Sequence, residues 1–220
     1  LGQKGDSKVE YLLDLGCGPG LFSEKLNQHC DRLLSLDLSK RMLSSNKNSS
    51  TKIQANSHAL PFKENSLDIV FSSLMIQWCD IDQVLMQIYN SLKSGGTAFV
   101  ATLVKGSLCE LESAWAQVDE DTHIHSYLTA EQVNTSVNLL PWSCVNIQQQ
   151  KQVYWFDTAL SLAKELKSLG ANYVENRQQK GLTSKSKWQQ MERAYSELYF
   201  DQQHQALPAS YQVIYLQLTK

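Results

Sequence analysis

An α/β fold built on a doubly wound parallel sheet is predicted by two observations. Strand-like and helix-like segments alternate over the first half of the chain, and a glycine-rich turn follows the first apolar run directly. The 220 residues are 42% hydrophobic and 19% charged, which excludes general disorder. A net charge of −2 gives no strong field toward nucleic acid. No apolar run approaches the roughly 18 residues that cross a bilayer, so neither nucleic acid nor membrane is expected as a partner. Cys17, Cys30, Cys79, Cys109 and Cys144 show no C-x-x-C spacing. Isolated thiols of this kind read as reduced, and a cytoplasmic location is expected.

Taken in order, Val9 to Leu15 is a buried strand ending in the glycine turn, and Leu21 to His29 is a helix. Arg32 to Leu38 is the second strand, and Ser39 caps a helix reaching about Lys47. Lys52 to Ala55 is a third strand and Leu67 to Leu74 a fourth. A helix over Asp82 to Leu92, a turn at Ser94-Gly95-Gly96 and a fifth strand over Thr97 to Leu103 complete the alternation. Beyond it, Gly106 to Asp119 is helical, and Thr129 with Gln132 forms a capping box for the next helix. Cys144 to Phe156 is strand-like; Asp157 caps a helix that Gly170 ends, and Thr183 to Tyr199 is helical. Ser210 to Leu218 is the last strand. Pairing of the last two strands as a hairpin makes the helices between them an insertion. The expected organisation is one domain, 1–220, with a core at 9–104 and a helical insertion near 157–200.

The sharpest motif is Leu12-Leu-Asp-Leu-Gly-Cys-Gly-Pro-Gly20, with glycines at 16, 18 and 20 between strand and helix. Glycine lets backbone approach a ligand without a Cβ in the way. The spacing is neither G-x-G-x-x-G nor a P-loop, so nothing is placed for nucleotide phosphates. Asp14 before the loop would repel a pyrophosphate, yet it suits ordering of the loop or a cation. Asp37, at the end of the second strand, suits the two hydroxyls of a ribose; capping the next helix is its structural alternative. Asn56 and Ser57 offer an amide and a backbone N–H to an adenine edge.

LDLGCGPG, LSLD, ANSHALPF and LDIVFSSLMIQW together resemble the motifs of class I S-adenosylmethionine-dependent methyltransferases, over about residues 10–104. The resemblance implies a Rossmann-like seven-stranded sheet with a terminal antiparallel hairpin and the cofactor across the strand C-termini. By motif, Asp14 with Gly16, Gly18 and Gly20 would face the methionine part, Asp37 the ribose and Leu38 the adenine. Asn56 stands where the family commonly has Asp, followed by Ser57; Ser73 ends the fourth strand beside the cofactor.

Finer stretches resemble the malonyl-[acyl-carrier protein] O-methyltransferases of biotin synthesis: FSSLMIQWCDIDQVL, TLVKGSLCELESAWAQVD, WFDTALSLAKELKSLGANYV and LPASYQVIYL. The implied reaction moves a methyl from S-adenosylmethionine to the free carboxylate of a malonyl thioester, leaving S-adenosylhomocysteine. A carboxylate is already ionised near pH 7, so no catalytic acid or base is assigned. Gln77, Trp78 and Arg177 are the acceptor-positioning candidates, Arg for its bidentate fit to a carboxylate. No metal is expected, His123 and His125 reading as a solvated loop rather than ligands. Residues 164–193 hold seven basic and three acidic side chains, a local +4 that suits docking of an acidic acyl carrier protein. A small-molecule, quinone-type methyltransferase and a non-catalytic S-adenosylmethionine-binding protein are the alternatives. The chain starts at Leu1 rather than Met, and the family's N-terminal lid helices are expected to be missing from it.

Overall fold

Strand β1 (Val9–Leu15) buries Leu12, Leu13 and Leu15 completely, as a strand covered on both faces does. In a computed structural model of the chain, which describes residues 8–48, 50–168 and 184–220, β1 lies inside a seven-stranded sheet. The order is β3-β2-β1-β4-β5-β7-β6, with β2 (Cys30–Asp37), β3 (Thr51–Gln54), β4 (Leu67–Ser73), β5 (Leu92–Leu103), β6 (Cys144–Phe156) and β7 (Leu207–Thr219). Pairs β1–β2, β2–β3, β1–β4 and β4–β5 are parallel. Strand β7 runs against β5: the Gly95 N–H donates to the Lys220 carbonyl and the Val104 N–H to that of Gln212. The Ser143 N–H donates to the Thr219 carbonyl, which starts β6 beside the end of β7 and makes the two an antiparallel hairpin. The expected fold class is the one observed.

The helices are α1 (Ser23–Asn27), α2 (Lys40–Ser45), α3 (Ile81–Ser91), α4 (Cys109–Ala116), α5 (Ala130–Asn138), α6 (Ala159–Ser168) and α7 (Lys185–Tyr199). Two caps read from the sequence are present: the Ser39 hydroxyl accepts from the Met42 N–H, and Thr129 and Gln132 form the reciprocal capping box. Three expectations need correction. The first helix is half the expected length, because Leu21 and Phe22 still belong to the glycine turn and no side chain caps Ser23. The cap of α6 is Thr158 rather than Asp157, its hydroxyl accepting from the Ser161 N–H at 3.1 Å. The Ser94-Gly95-Gly96 turn is an irregularity inside β5, where the ladder steps from Leu67↔Leu92 to Ile69↔Thr97. A Cβ on Gly96 would stand 2.9 Å from the Lys93 carbonyl oxygen, so this bulge needs glycine.

The chain divides into two units. The first comprises residues 1–102, 129–149 and 214–220, and includes β1 to β4 and the helices between them. One of its buried clusters joins Leu12, Leu26, Cys30 and Leu33, packing α1 on the sheet. The second comprises residues 103–128 and 150–213. Its core joins α4 (Leu111, Ala114, Trp115), α6 (Ala159, Leu162, Leu166) and α7 (Met191, Tyr195) to Leu207 and Ala209 of β7. Two polar contacts fasten that core to β7. The Tyr195 hydroxyl donates to the Pro208 carbonyl at 2.6 Å, and the buried Glu110 carboxylate accepts from both the N–H and the hydroxyl of Ser210. Glu110→Ala leaves the Ser210 donors without a partner and is expected to cost about 1–3 kcal/mol in urea unfolding. Glu110→Gln, which keeps one acceptor, is expected to cost less; equal losses would mean the packing, not the hydrogen bonds, matters there.

Candidate active site

The glycine turn uses up its own donors. The Gly16 and Cys17 N–H groups both point at the Leu36 carbonyl, at 2.8 and 3.0 Å. The Gly18 N–H donates to Asp37 Oδ2 at 2.9 Å, and the Gly20 N–H to the Cys17 carbonyl at 3.0 Å; Pro19 has none to give. Every backbone donor of the loop is therefore bound within the protein. A phosphate cradle needs such donors free, so the loop is built for a different ligand.

The three glycines answer to different neighbours. All have positive φ, at +74°, +53° and +84°. A Cβ on Gly16 would lie 2.3 Å from Met75 Cγ, and one on Gly20 would lie 2.5 Å from the Asn46 amide. One on Gly18 would meet nothing within 4 Å. Gly16 and Gly20 thus make room for the protein's own side chains, and Gly18 alone faces open space.

Asp14 is 3% exposed, and its Oδ2 has no hydrogen-bond partner among the described residues. Burial first, and then the Asp37 carboxylate, push its carboxyl up to about 7, partly offset by a hydrogen bond from the buried Ser23 hydroxyl. The same two carboxylates, added to burial, push the Cys17 thiol up to about 12, so that thiol stays protonated at neutral pH. Asp37 is half-buried, with Oδ1 accepting from the Ser39 N–H at 2.8 Å and Oδ2 from Gly18. The cap of α2 is Ser39, so Asp37 anchors the glycine loop and the residue that opens the helix rather than capping it, and each oxygen keeps a lone pair for a hydroxyl. Leu38 beside it is 68% exposed, a free apolar surface next to the carboxylate.

Asn56 Oδ1 accepts from the His58 N–H at 3.0 Å, so its own turn engages the carbonyl and leaves the amide N–H groups outward. The Ser57 hydroxyl lies 3.4 Å from Cys79 Sγ, and Ser73 ends β4 opposite Ala101. After β4 the chain enters a short 3-10 turn, Ile76–Trp78, through Leu74 at φ +54°. Gln77 is held at both ends of its amide: Nε2 donates to the Leu74 carbonyl at 2.7 Å and Oε1 accepts from the Thr102 hydroxyl at 3.2 Å. Asp14, the glycine turn, Asp37, Asn56, Ser57, Ser73, Gln77 and Trp78 all fall in the first unit. Arg177 lies outside the described residues.

A family model described as a methyltransferase domain matches residues 13–100. The malonyl-[acyl-carrier protein] O-methyltransferase of Hamiltonella defensa is 34% identical over 215 residues, covering 96% of this chain and 80% of that protein. The chain belongs to the malonyl-[acyl-carrier protein] O-methyltransferase family. The biotin biosynthesis bifunctional protein BioHC of Cellvibrio japonicus is 33% identical over 95% of the chain, which spans 42% of that longer protein. Among solved structures, the YcgJ protein of Bacillus subtilis superposes with a TM-score of 0.66 at 14% identity, over 96% of this chain and 92% of that one. Phosphoethanolamine N-methyltransferase 2 of Haemonchus contortus gives 0.59 at 17%, over 97% of this chain and 49% of that one. Both share the fold.

In this methyltransferase several supporting residues carry no sequence signal. Ser23 on Asp14, Asn46 and Met75 against the glycines, and Thr102 on Gln77 are distant in sequence and meet only in the fold. His123 and His125 are not a joint ligand pair. His123 bonds Asp119 at 2.7 Å and stacks on Trp115, whereas His125 packs against Tyr127. Asp119, Asp121 and His123 form an acidic group of metal-binding size, and the Lys187 ammonium engages it, 2.5 Å from Asp119 and 3.6 Å from Asp121. Among the described residues no helix is long and apolar enough to cross a membrane.

The glycine assignments are separable by calorimetry. An alanine in a left-handed conformation costs roughly 1–2 kcal/mol, so Gly18→Ala is expected to lose about that much. Gly16→Ala adds the collision with Met75 and is expected to lower the melting temperature further. The reverse order would mean that Met75 does not rest on Gly16.

Proposed function

We propose that this chain uses S-adenosylmethionine to methylate the free carboxylate of a malonyl thioester carried on acyl carrier protein; its relatives are named malonyl-[acyl-carrier protein] O-methyltransferases. The observation that carries the reading is the 34% identity over 96% of the chain, well beyond the methyltransferase-domain match at 13–100. The residues fit the methyl donor on their own chemistry. Its methionine part carries an ammonium and a sulfonium and no phosphate, which suits an unpartnered carboxylate at Asp14 and a loop without free donors. Asp14, Gly16, Gly18 and Gly20 would hold that part, with Ser73 beside them. Asp37 would hold the ribose hydroxyls, Leu38 would cover the adenine face, and Asn56 and Ser57 would meet its edge. S-adenosylmethionine supplies, when bound, an electrophilic methyl on sulfur.

The protein's contribution on the acceptor side is placement. An ionised carboxylate is a sufficient nucleophile, so side chains have to orient and desolvate it rather than remove a proton. The Gln77 amide, fixed by Thr102 and Leu74, is suited to that, with Trp78 as a wall and Arg177 as a cationic contact. The reading is tested with radiolabelled methyl donor and malonyl- against succinyl-acyl carrier protein. Base-labile label on the malonyl form alone is expected; label on neither, with the donor bound, favours a non-catalytic binding protein.

Asp14 gives the cofactor step a pH signature. With its carboxyl near 7 in the free protein, a cationic ligand binds only as the proton leaves. Affinity for S-adenosylhomocysteine is expected to fall about tenfold per unit below pH 7 and to level off above it. Asp14→Asn should bind weakly with no such slope. The linkage also acts on folding: this carboxyl is raised above its unfolded value, so the free chain loses stability as pH rises from about 4 to 7. Asp14→Asn should remove that decline, whereas a native-like decline in the variant would assign it elsewhere.

The carrier-protein face is narrowed by the ion pairs. Lys187 is engaged by Asp119 and Asp121, and holds Asp119 down to about 2. Exposed Lys164, Lys167 and Lys185 form no ion pair among the described residues and are the better docking candidates. Charge reversal of these three is expected to raise KM for malonyl-acyl carrier protein roughly tenfold and to spare malonyl-coenzyme A. Equal losses on both substrates would move docking off this face.

A further inference from the structure

The loop that carries Asn56 and Ser57 is tied to the start and middle of α3 at three points, all inside the first unit. The Ser57 hydroxyl lies 3.4 Å from Cys79 Sγ, the Asp80 N–H donates to His58 Nε2 at 3.1 Å, and the Leu60 N–H donates to Gln87 Oε1 at 3.1 Å. Ser57 and Leu60 are buried and His58 is half-buried, whereas Asn56 and Ala59 are exposed. The loop also closes on itself: Asn56 Oδ1 accepts from the His58 N–H at 3.0 Å, and the Asn56 carbonyl from the Ala59 N–H at 3.1 Å. His58 thus holds the Asn56 side chain through its backbone and the head of α3 through its ring.

The middle tie differs from the other two in kind. A backbone N–H can only donate, so Nε2 of His58 is the bare nitrogen and the ring proton sits on Nδ1. The bond exists for the neutral imidazole alone, because a second ring proton would set N–H against N–H. Imidazoles ordinarily gain that proton between about pH 8 and 5. Neither of the other ties changes there: Gln87 is an amide, and burial pushes the Cys79 thiol up, away from neutrality. The charged groups on the α3 side are Asp80 and Asp82, and in the loop's own continuation Lys63 and Glu64. Both Asp80 oxygens are engaged by Gln83, at 3.2 Å from its N–H and 2.7 Å from its amide, and these bonds hold the Asp80 carboxyl below its usual range. Asp80 therefore stays ionised while His58 titrates, and an imidazolium would turn from the Asp80 N–H toward that carboxylate.

We propose that His58 is a positioning residue for the adenine end of the methyl donor: its neutral ring, accepting from the Asp80 N–H, keeps the Asn56–Leu60 loop on α3 in the shape that presents Asn56 and Ser57. Protonation of the ring releases the loop and weakens binding of the adenosyl group. His58 itself does not touch the ligand; it acts through Asn56. The inference rests on the placement of the adenine edge at Asn56 and Ser57.

The probe is 5′-methylthioadenosine, which keeps adenine and ribose but has no ammonium to answer to Asp14. Its affinity is measured by calorimetry on the full chain, from about pH 5 to 8, for the native protein, His58→Gln and His58→Ala. Glutamine brings an amide oxygen to accept from the Asp80 N–H and does not titrate. Native affinity is expected to fall about tenfold from the alkaline to the acid end, the worth of one hydrogen bond. His58→Gln is expected to keep the alkaline affinity throughout, and His58→Ala to bind about tenfold more weakly at every pH. A merely structural role would lower affinity without altering its pH dependence. A native slope in His58→Gln, or native affinity in His58→Ala at the alkaline end, overturns the proposal. Should His58→Ala fail to fold, the contrast between the native protein and His58→Gln decides alone, with equal melting temperatures at the alkaline end as the check on folding. Asn56→Ala separates the two readings. Weaker binding in Asn56→Ala with no response to His58 defeats the positioning role alone, whereas native binding in Asn56→Ala removes adenine from this loop and the proposal with it.

Discussion

A carboxylate buried without a counter-charge sets the terms for the whole first unit. Asp14 sits 3% exposed on a central strand of the sheet, so water screens it little, and among the described residues the charge that acts on it is the unfavourable one of Asp37. A hydrophobic residue there would be more stable. The arrangement makes sense for a site that receives positive charge and leaves part of its neutralisation to the ligand. Around it the glycine turn is rigid rather than open. Four loop donors go to the end of β2 or back into the loop, and two of the three glycines are wedged against Met75 and Asn46. Burial, together with the two carboxylates, also keeps the Cys17 thiol protonated, so the loop carries no thiolate nucleophile.

The second unit is organised by polar ties to β7. Glu110 binds both donors of Ser210, Tyr195 donates to Pro208, and the Ser107 hydroxyl accepts from the Gln212 N–H. Three consecutive stretches of one strand are thus fixed by the α4 region and α7. At the other end of α4, Asp119 joins His123 to Lys187 of α7. Each tie is a charged or strongly directional bond at the margin of an apolar cluster, where it selects one register of β7 rather than adding much stability.

Much of this was legible in the residues. The alternation of apolar runs with helical spacing set the parallel sheet, and capping chemistry placed the starts of α2 and α5, because both signals are local. The glycine turn and Asp37 were readable for the same reason. What was hidden depends on contacts across the fold: the Gly16 restriction comes from Met75, 59 positions away, and the Gln77 orientation from Thr102. The Ser94-Gly95-Gly96 segment misled because glycines that usually close a turn here admit a bulge against the Asp68 and Leu67 carbonyls. His123 misled in another way: an acidic, polar stretch reads as a solvated loop, whereas its ring is buried, stacked on Trp115 and bonded to Asp119.

Methylation of a carboxylate reverses the usual demand on a transferase. The nucleophile is ionised long before neutral pH, so a base contributes nothing, and a strong ion pair is a mixed benefit. A guanidinium such as that of Arg177 would capture the acceptor tightly, and it would also withdraw charge from the oxygen that has to attack. A neutral amide fixed in direction, as the Gln77 amide is by Leu74 and Thr102, would orient the same oxygen with little loss of nucleophilicity, its dipole being aimed in advance. Cationic residues would then do most good at a distance, on exposed positions such as Lys164, Lys167 and Lys185, where they would attract an acidic carrier without touching the reacting group. The proposed reaction in this way separates recognition of charge, on the surface, from orientation of the nucleophile, by uncharged donors.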